Sequence, residues 1–284
     1  MTAADAATQP EDHLVLLLRL AAPMQSWGDR SAFNRRETRS QPTKSGIIGL
    51  LAAAAGRPRE ADITDLVALR LGVRIDQPGT LLRDYHTASD YRGRPLPQTG
   101  VNAKGIQKPT SPAKETHVTQ RFYLQDAVFV VALQGPRPLL ESLAEAVRHP
   151  AFPLALGRRS CPPTQPITLG DPQPGTLTAA LAAQPWQAGE AAREAYRRRT
   201  ARSTRPTAVE HIDLAATLDD AAGNDTWQDV PLSFDPHRRG TTTRTIRHTW
   251  LSVPTGLKAP HNPTTQPAAD TDPAGHDPFA LLGW

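Results

Sequence analysis

Apolar and polar positions follow a few distinct patterns along this chain, and each predicts an element. Residues 14–20, LVLLLRL, are a near-continuous apolar run of strand length. A strand covered on both faces reads this way, so the first strand is expected here, central in its sheet. Residues 43–56, TKSGIIGLLAAAAG, are apolar on every side after the first turn. They predict a buried helix with Thr43 as N-cap and Gly56 as its stop. A short amphipathic helix in ADITDLVALRLG starts after Asp62, and LGVRID at 71–76 predicts the next strand. DAVFVVALQG at 126–135 is the clearest strand of all. PLLESLAEAVRHP follows it with Leu139, Leu140, Leu143 and Val147 on one helical face, and with Pro138 in the first turn, where a helix tolerates it. A short strand into LGRRS, residues 156–160, completes the series.

Residues 95–116, PLPQTGVNAKGIQKPTSPAKET, contain four prolines, two glycines and three lysines and almost no large apolar side chain. They cannot build core and should project from it. Strand-like LLRDYHT and TQRFYL flank them, so a long basic hairpin is expected over residues 88–120. Beyond 170 the pattern weakens. GTLTAALAAQPW suggests a short helix, and DVPLSFDPHRRGTTTRTIRHTWLSVP suggests one or two strands, Thr243 to Val253 being the better. Six arginines against one glutamate fill 193–205, and 213–229 holds five aspartates and no base. Such blocks are expected to be exposed. Residues 1–12 are expected to be a disordered extension and 258–284 a disordered proline-rich tail that stays polar until PFALLGW. Strand, helix, strand, finger, strand, helix, strand is an α+β order. It resembles a ferredoxin-like (RRM/RAMP-type) domain over 13–257, with an inserted β-hairpin thumb and a less regular C-terminal part.

Composition narrows the function. The chain has 284 residues, a formal net charge of +4 and one cysteine. No disulfide framework can form, and a reducing, cytoplasmic setting is expected. Acids Asp5, Glu11 and Asp12 stand where a signal peptide is basic. IIGLLAAAAG, at 47–56, is half the roughly 20 residues a membrane-spanning helix needs, so no membrane role is expected. Clustered arginines and lysines favour a polyanion partner. No phosphate-cradling GxxxxGK[ST] and no histidine and carboxylate spacing for a metal is present, so neither a metal nor a cofactor is expected.

Four short blocks carry candidate chemistry. In LGRRSCPPTQPITLG, Arg158 and Arg159 could lower the pKa of Cys161, yet no positioned base accompanies the thiol. The same block offers Gly157 for close backbone approach, two guanidiniums that fork onto phosphate oxygens, and the Ser160 hydroxyl. TKSG places Lys44, Ser45 and free N–H groups at a helix start, where an anion is favoured. In MQSWG, Gln25 and Ser26 could meet a base edge while Trp27 stacks on a base. In LRDYHT, Arg83, Tyr85 and His86 could contact RNA, with Lys104 and Lys108 of the hairpin and Arg121 beside it. Alternatively Tyr85 and His86, with Lys44, could supply acid and base for cleaving RNA through its 2′-OH.

RLAAPMQSWG after the first strand, PTKSGIIGLLAAAAG opening the first helix, LRDYHT before the hairpin and LGRRSCPPTQPITLG resemble the CasD subunits of type I-E CRISPR Cascade, RAMP-type proteins of the fifth Cas family. The likeness covers about 13–170 well and 230–253 loosely. It implies a non-catalytic RNA-binding subunit of an antiviral ribonucleoprotein complex that holds the 5′ repeat-derived handle of CRISPR RNA. Its implied partners are that RNA, the CasC backbone subunit, whose filament it caps, the large subunit CasA, and target DNA through the assembled complex. The metal-independent endoribonuclease remains the alternative, as in type I-C relatives that process repeat RNA.

Overall fold

The computed structural model describes residues 13–28, 34–90, 115–201 and 210–257. In chain order the elements are β1 (His13–Ala21), β2 (Met24–Gln25), β3 (Arg35–Arg36), α1 (Lys44–Ala54), α2 (Thr64–Val67), β4 (Arg70–Gln77), β5 (Thr80–Asp90) and β6 (Glu115–Gln125). There follow β7 (Val128–Pro136), α3 (Arg137–Arg148), β8 (Gln173–Pro174), α4 (Leu177–Ala183), α5 (Glu190–Ala201), β9 (His211–Asp219), β10 (Asp225–Ser233) and β11 (Gly240–Pro254). The expected terminal extensions, together with Lys104 and Lys108, lie outside the described residues.

Among the described residues one seven-stranded sheet runs in the order β10-β11-β9-β4-β7-β1-β8, and a smaller sheet joins β2, β6 and β3, with β5 pairing β6. Pairing is antiparallel throughout except β3 with β6. β1 shows why its sequence is apolar at nearly every position. Leu14, Leu16, Leu18 and Leu20 enter one core with Ile47, Leu51, Leu140 and Leu143 of α1 and α3. Val15, on the opposite face, enters a second core with Leu177 and Leu181 of α4, Trp186 and Val253. Alternation across the pleat therefore splits one strand between two layers. β1 is not central as expected: beyond it lie, among the described residues, only the two-residue β8 and the isolated Leu18↔Thr168 bridge.

α1 forms as its sequence predicts. The Thr43 hydroxyl accepts the Gly46 N–H, and the helix closes at Ala55 before Gly56. β5 and β6 pair from Thr80↔Gln125 out to Asp90↔Glu115. No helix among the described residues is long and apolar enough to cross a membrane.

Two expectations are corrected, and the arginine block gains a regular structure. No strand leads into LGRRS; residues 156–161 form a closed turn in which the Leu156 N–H donates to Cys161 O at 2.8 Å and the Cys161 N–H to Arg158 O at 2.9 Å. The arginines at 193–201 lie on a regular helix, α5, where Arg197, Arg198 and Arg199 are exposed as expected and Glu194 pairs with both Arg197 and Arg198. The aspartates of 213–229 do not make an exposed segment. They lie in β9, β10 and the turn between them, and Asp229 is buried. The opposing charges that satisfy Asp219 and Asp229, Lys44 and Arg244, are distant in sequence and reach them only through the fold.

Candidate nucleic-acid interface

Three of the four sequence blocks converge on one open cleft of ≈ 550 Å³. Ser26, Trp27 and Gly28 come from the segment after β1, Thr43, Ser45 and Gly46 from the start of α1, and Gly157 and Arg158 from the 156–161 turn. Arg36, Arg239 and the 231–241 segment with Phe234 and Thr241 also line it, and no carboxylate side chain does so among the described residues. The charged groups of the cleft are thus all guanidiniums, set among hydroxyls, glycines and apolar groups, a surface that suits a phosphodiester chain.

The turn docks on the segment through backbone alone. The Ser26 N–H donates to Leu156 O at 3.1 Å. Gly157 sits at φ +89°, and a Cβ there would lie 1.7 Å from Ser26 O. The sequence reading assigned Gly157 to close approach by RNA; the structure shows the approaching group to be Ser26 O. Arg158 then reaches under β6. Its guanidinium lies 4.7 Å from the centre of the Tyr123 ring and donates to Phe122 O at 3.1 Å and to Arg36 O at 2.7 Å. It lines the cleft while tying the turn to β6 and β3. Arg159 and Ser160 are exposed, and Arg159 makes no hydrogen bond or ion pair among the described residues.

The expected base-reading residues are structural. Gln25 is fully buried: its Nε2 donates to Leu20 O at 3.0 Å and Ala127 O at 2.7 Å, and its Oε1 accepts from Trp27 Nε1 at 3.2 Å. Trp27 is 1% exposed and packs so closely under Gly46 that a Cβ there would stand 2.8 Å from the ring. Neither a free amide edge nor an open indole face remains for a base. The Ser26 hydroxyl is likewise engaged, donating to Phe122 O at 3.1 Å.

The helix start is also pre-empted. The Lys44 N–H donates to the Asp229 carboxylate at 2.8 Å, so a protein anion already sits at the positive end of α1. The Lys44 ammonium is buried and pairs with Asp219 at 3.1 Å. Arg244 closes the group, with its Nε 2.7 Å from Asp229 and a further pair to Asp219. Burial alone would lower the Arg244 pKa; hydrogen bonds and charge from Asp229 and Asp219 outweigh it and raise it. Lys44 is therefore one part of a balanced quartet of two bases and two acids rather than a free phosphate ligand. Ser45 remains available, half-buried at the cleft wall with its hydroxyl 3.2 Å from that of Thr43.

The fourth block lies on the β5–β6 ribbon. Arg83 and Tyr85 are exposed, Tyr85 by 67%. His86, its neighbour along the strand, projects from the other face, where its Nδ1 is buried without a partner. Arg121, opposite Asp84, donates from Nε to Thr119 Oγ1 at 3.2 Å. Tyr85 and His86 thus face opposite sides of the ribbon, and Lys44 is held in its ion pair, so the acid–base trio of the nuclease reading is not assembled. Cys161 is 1% exposed; burial pushes its thiol up against the weaker pull of Ser160 and Arg158, which leaves it a poor nucleophile. Among the described residues no cluster of histidine, cysteine and carboxylate side chains could hold a metal.

Sequence reasoning missed Arg36 and Arg239 as individual cleft residues. Arg36 lay within the basic stretch 30–44, and Arg239 had no signal beyond HRRG between two strand patterns.

The comparisons with known proteins agree on one family. The family described as CRISPR-associated protein (Cas_Cas5) matches residues 15–247. The Escherichia coli (strain K12) protein named CRISPR system Cascade subunit CasD is 38% identical over 186 residues, which cover 57% of this chain and 75% of that protein. A solved chain from a CRISPR RNA-guided surveillance complex superposes with a TM-score of 0.64 at 34% identity, covering 86% of this chain and 92% of the other. A crystal structure titled simply as a Cas protein gives 0.59 at 35% identity, over 85% and 98%. The same four blocks that converge on the cleft and its ribbon lie within the matched span, and the chain belongs to the Cas5 family of CRISPR-associated proteins.

Proposed function

We propose that this protein is the non-catalytic, cytoplasmic CasD-type subunit of a Cascade-like surveillance complex. It holds the 5′ repeat-derived handle of CRISPR RNA in the arginine-lined cleft, and it caps a CasC backbone filament next to the large subunit CasA. Target DNA meets it through the assembled complex. The observation that carries this reading is the convergence of residues 26–28, Thr43, Ser45, Gly46, Gly157 and Arg158 with Arg36 and Arg239 on one cleft that no carboxylate lines among the described residues. The order β8-β1-β7-β4, with α1 after β1 and α3 after β7, supports a ferredoxin-like core of RAMP type, and the β5–β6 ribbon supports a thumb inserted between its second and third strands.

In this reading Arg36, Arg158, Arg159 and Arg239 meet phosphates, with Ser45 and Ser160 beside them, and Arg83, Tyr85 and Arg121 of the ribbon continue the path. Gln25, Ser26, Trp27, Lys44 and Gly157 build the floor on which these groups stand. Phosphate contacts position a strand and make binding salt-dependent. Replacing Arg36, Arg159 and Arg239 together by alanine should lower handle affinity and flatten the dependence of log K on log salt by about 0.7 for each phosphate no longer neutralised. Titration of labelled handle RNA at several salt concentrations measures both. An unchanged slope removes the cleft from the binding site.

A further inference from the structure

β4 and β9 are sheet neighbours over only three pairs, Gly72↔Leu218, Val73↔Thr217 and Arg74↔Ala216. Past them β4 continues against β7, while among the described residues the first half of β9 pairs only with β11. The strands part, and a slot of ≈ 610 Å³ opens between residues 75–78 and 212–215. Ile75, Trp186, Tyr196, Ile212, Leu214 and Trp250 make it apolar. Trp186 is fixed there by its indole N–H, which donates to Asp76 O at 2.8 Å, and by the edge of Tyr196, 5.3 Å between ring centres. Trp250 stands at the mouth with 72% of its surface exposed. An indole left in water beside an apolar slot marks a binding surface, and strand edges that face no partner strand suit an extended polypeptide.

We propose that this slot receives residues 278–284 of the same chain, PFALLGW. Phe279, Leu281, Leu282 and Trp284 are concentrated there, after 20 residues, 258–277, that carry four prolines and no large apolar side chain. The described chain ends beside the slot: the Trp186 N–H donates to Pro254 O at 2.9 Å, and Arg193 of α5 donates to Thr255 O at 3.1 Å. Twenty residues span about 25 Å as a flexible chain, enough to return to a groove that starts a few residues away. Arg199 lies over Tyr196 at 5.4 Å on one wall and Asp213 lines the same slot, so its charges balance and the apolar side chains select the occupant.

The test uses the full chain and its variant Phe279→Ser/Leu282→Ser/Trp284→Ser. A photo-crosslinking benzoylphenylalanine at position 250 should capture residues 278–284 of its own chain. Amide exchange at 75–78 and 212–215 should become severalfold faster in the variant while exchange at 128–136 stays unchanged. A synthetic peptide of residues 275–284 should restore the lost protection. Crosslinks that join two chains, exchange unaltered by the variant, or a peptide that restores nothing would each overturn the proposal.

Discussion

Gly157 occupies a position that no other residue fits. Its φ of +89° lies in the left-handed region, and the atom a side chain would add collides with the backbone of Ser26. Gly157→Ala should cost about 1–3 kcal/mol, the scale of a strained backbone site. It should appear as a lower urea midpoint at an unchanged slope, together with weaker RNA binding as Arg158 and Arg159 are displaced. The sequence made this glycine legible as a site of close approach, because a glycine before two arginines in a proline-rich segment has few other uses. What approaches it was not legible, since Ser26 is more than a hundred residues away. The same limit explains Trp27 and Gln25. Both types read as RNA-contacting in isolation, and only the packing under Gly46 and against Ala127 shows that they are consumed by the fold.

At the scale of elements, α4 is tied to β4 by the guanidinium of a buried ion pair that lies within β4. Arg74 and Asp76 are both inaccessible and two apart on β4, so their side chains share a face. The guanidinium forks onto the carboxylate at 2.7 Å through Nε and Nη2, and it also donates to Gln184 O, at 2.6 Å, past the end of α4. Burial pushes the Asp76 carboxyl up, and hydrogen bonds and charge from Arg74 work against it. Arg74→Met would leave that carboxyl buried without its partner and should cost about 3–5 kcal/mol in urea unfolding. The double variant Arg74→Met/Asp76→Leu should recover part of that loss because no buried charge remains, and only part because the Leu181, Gln184 and Pro185 carbonyls and the Gln187 N–H lose their partners. β1, α1, β4, β7 and α3 were legible because their apolar periods are strong. β9 was not: its polar positions include Asp213 and Asp219, which read as an exposed acidic block, and only the fold brings Arg244, Lys44 and the Leu71 N–H to Asp219.

For the molecule as a whole, the question is whether it cuts the RNA that the proposed function has it hold. Tyr85 and His86 lie on opposite faces of the ribbon and Lys44 is buried, so repeat RNA incubated with the purified protein in EDTA should stay intact. Gel analysis of end-labelled RNA checks this, and cleavage abolished by His86→Ala would restore the nuclease reading. The α+β class, the order of the N-terminal elements and three of the four blocks lining the cleft could be read from the chain. The pairing that builds the C-terminal half could not, because it depends on charges brought together across 15 to 175 positions.

Asp229 at the head of α1 gives the cleft its character. The protein supplies its own anion there and clamps it with Arg244, so an incoming strand finds no vacant ring of amides waiting for it. What it meets instead are arginines on loops and short strands, groups that can follow a curved backbone as it is laid down. A grip of this kind accommodates a strand's path rather than measuring one phosphate, and it lets go when salt competes for the same side chains.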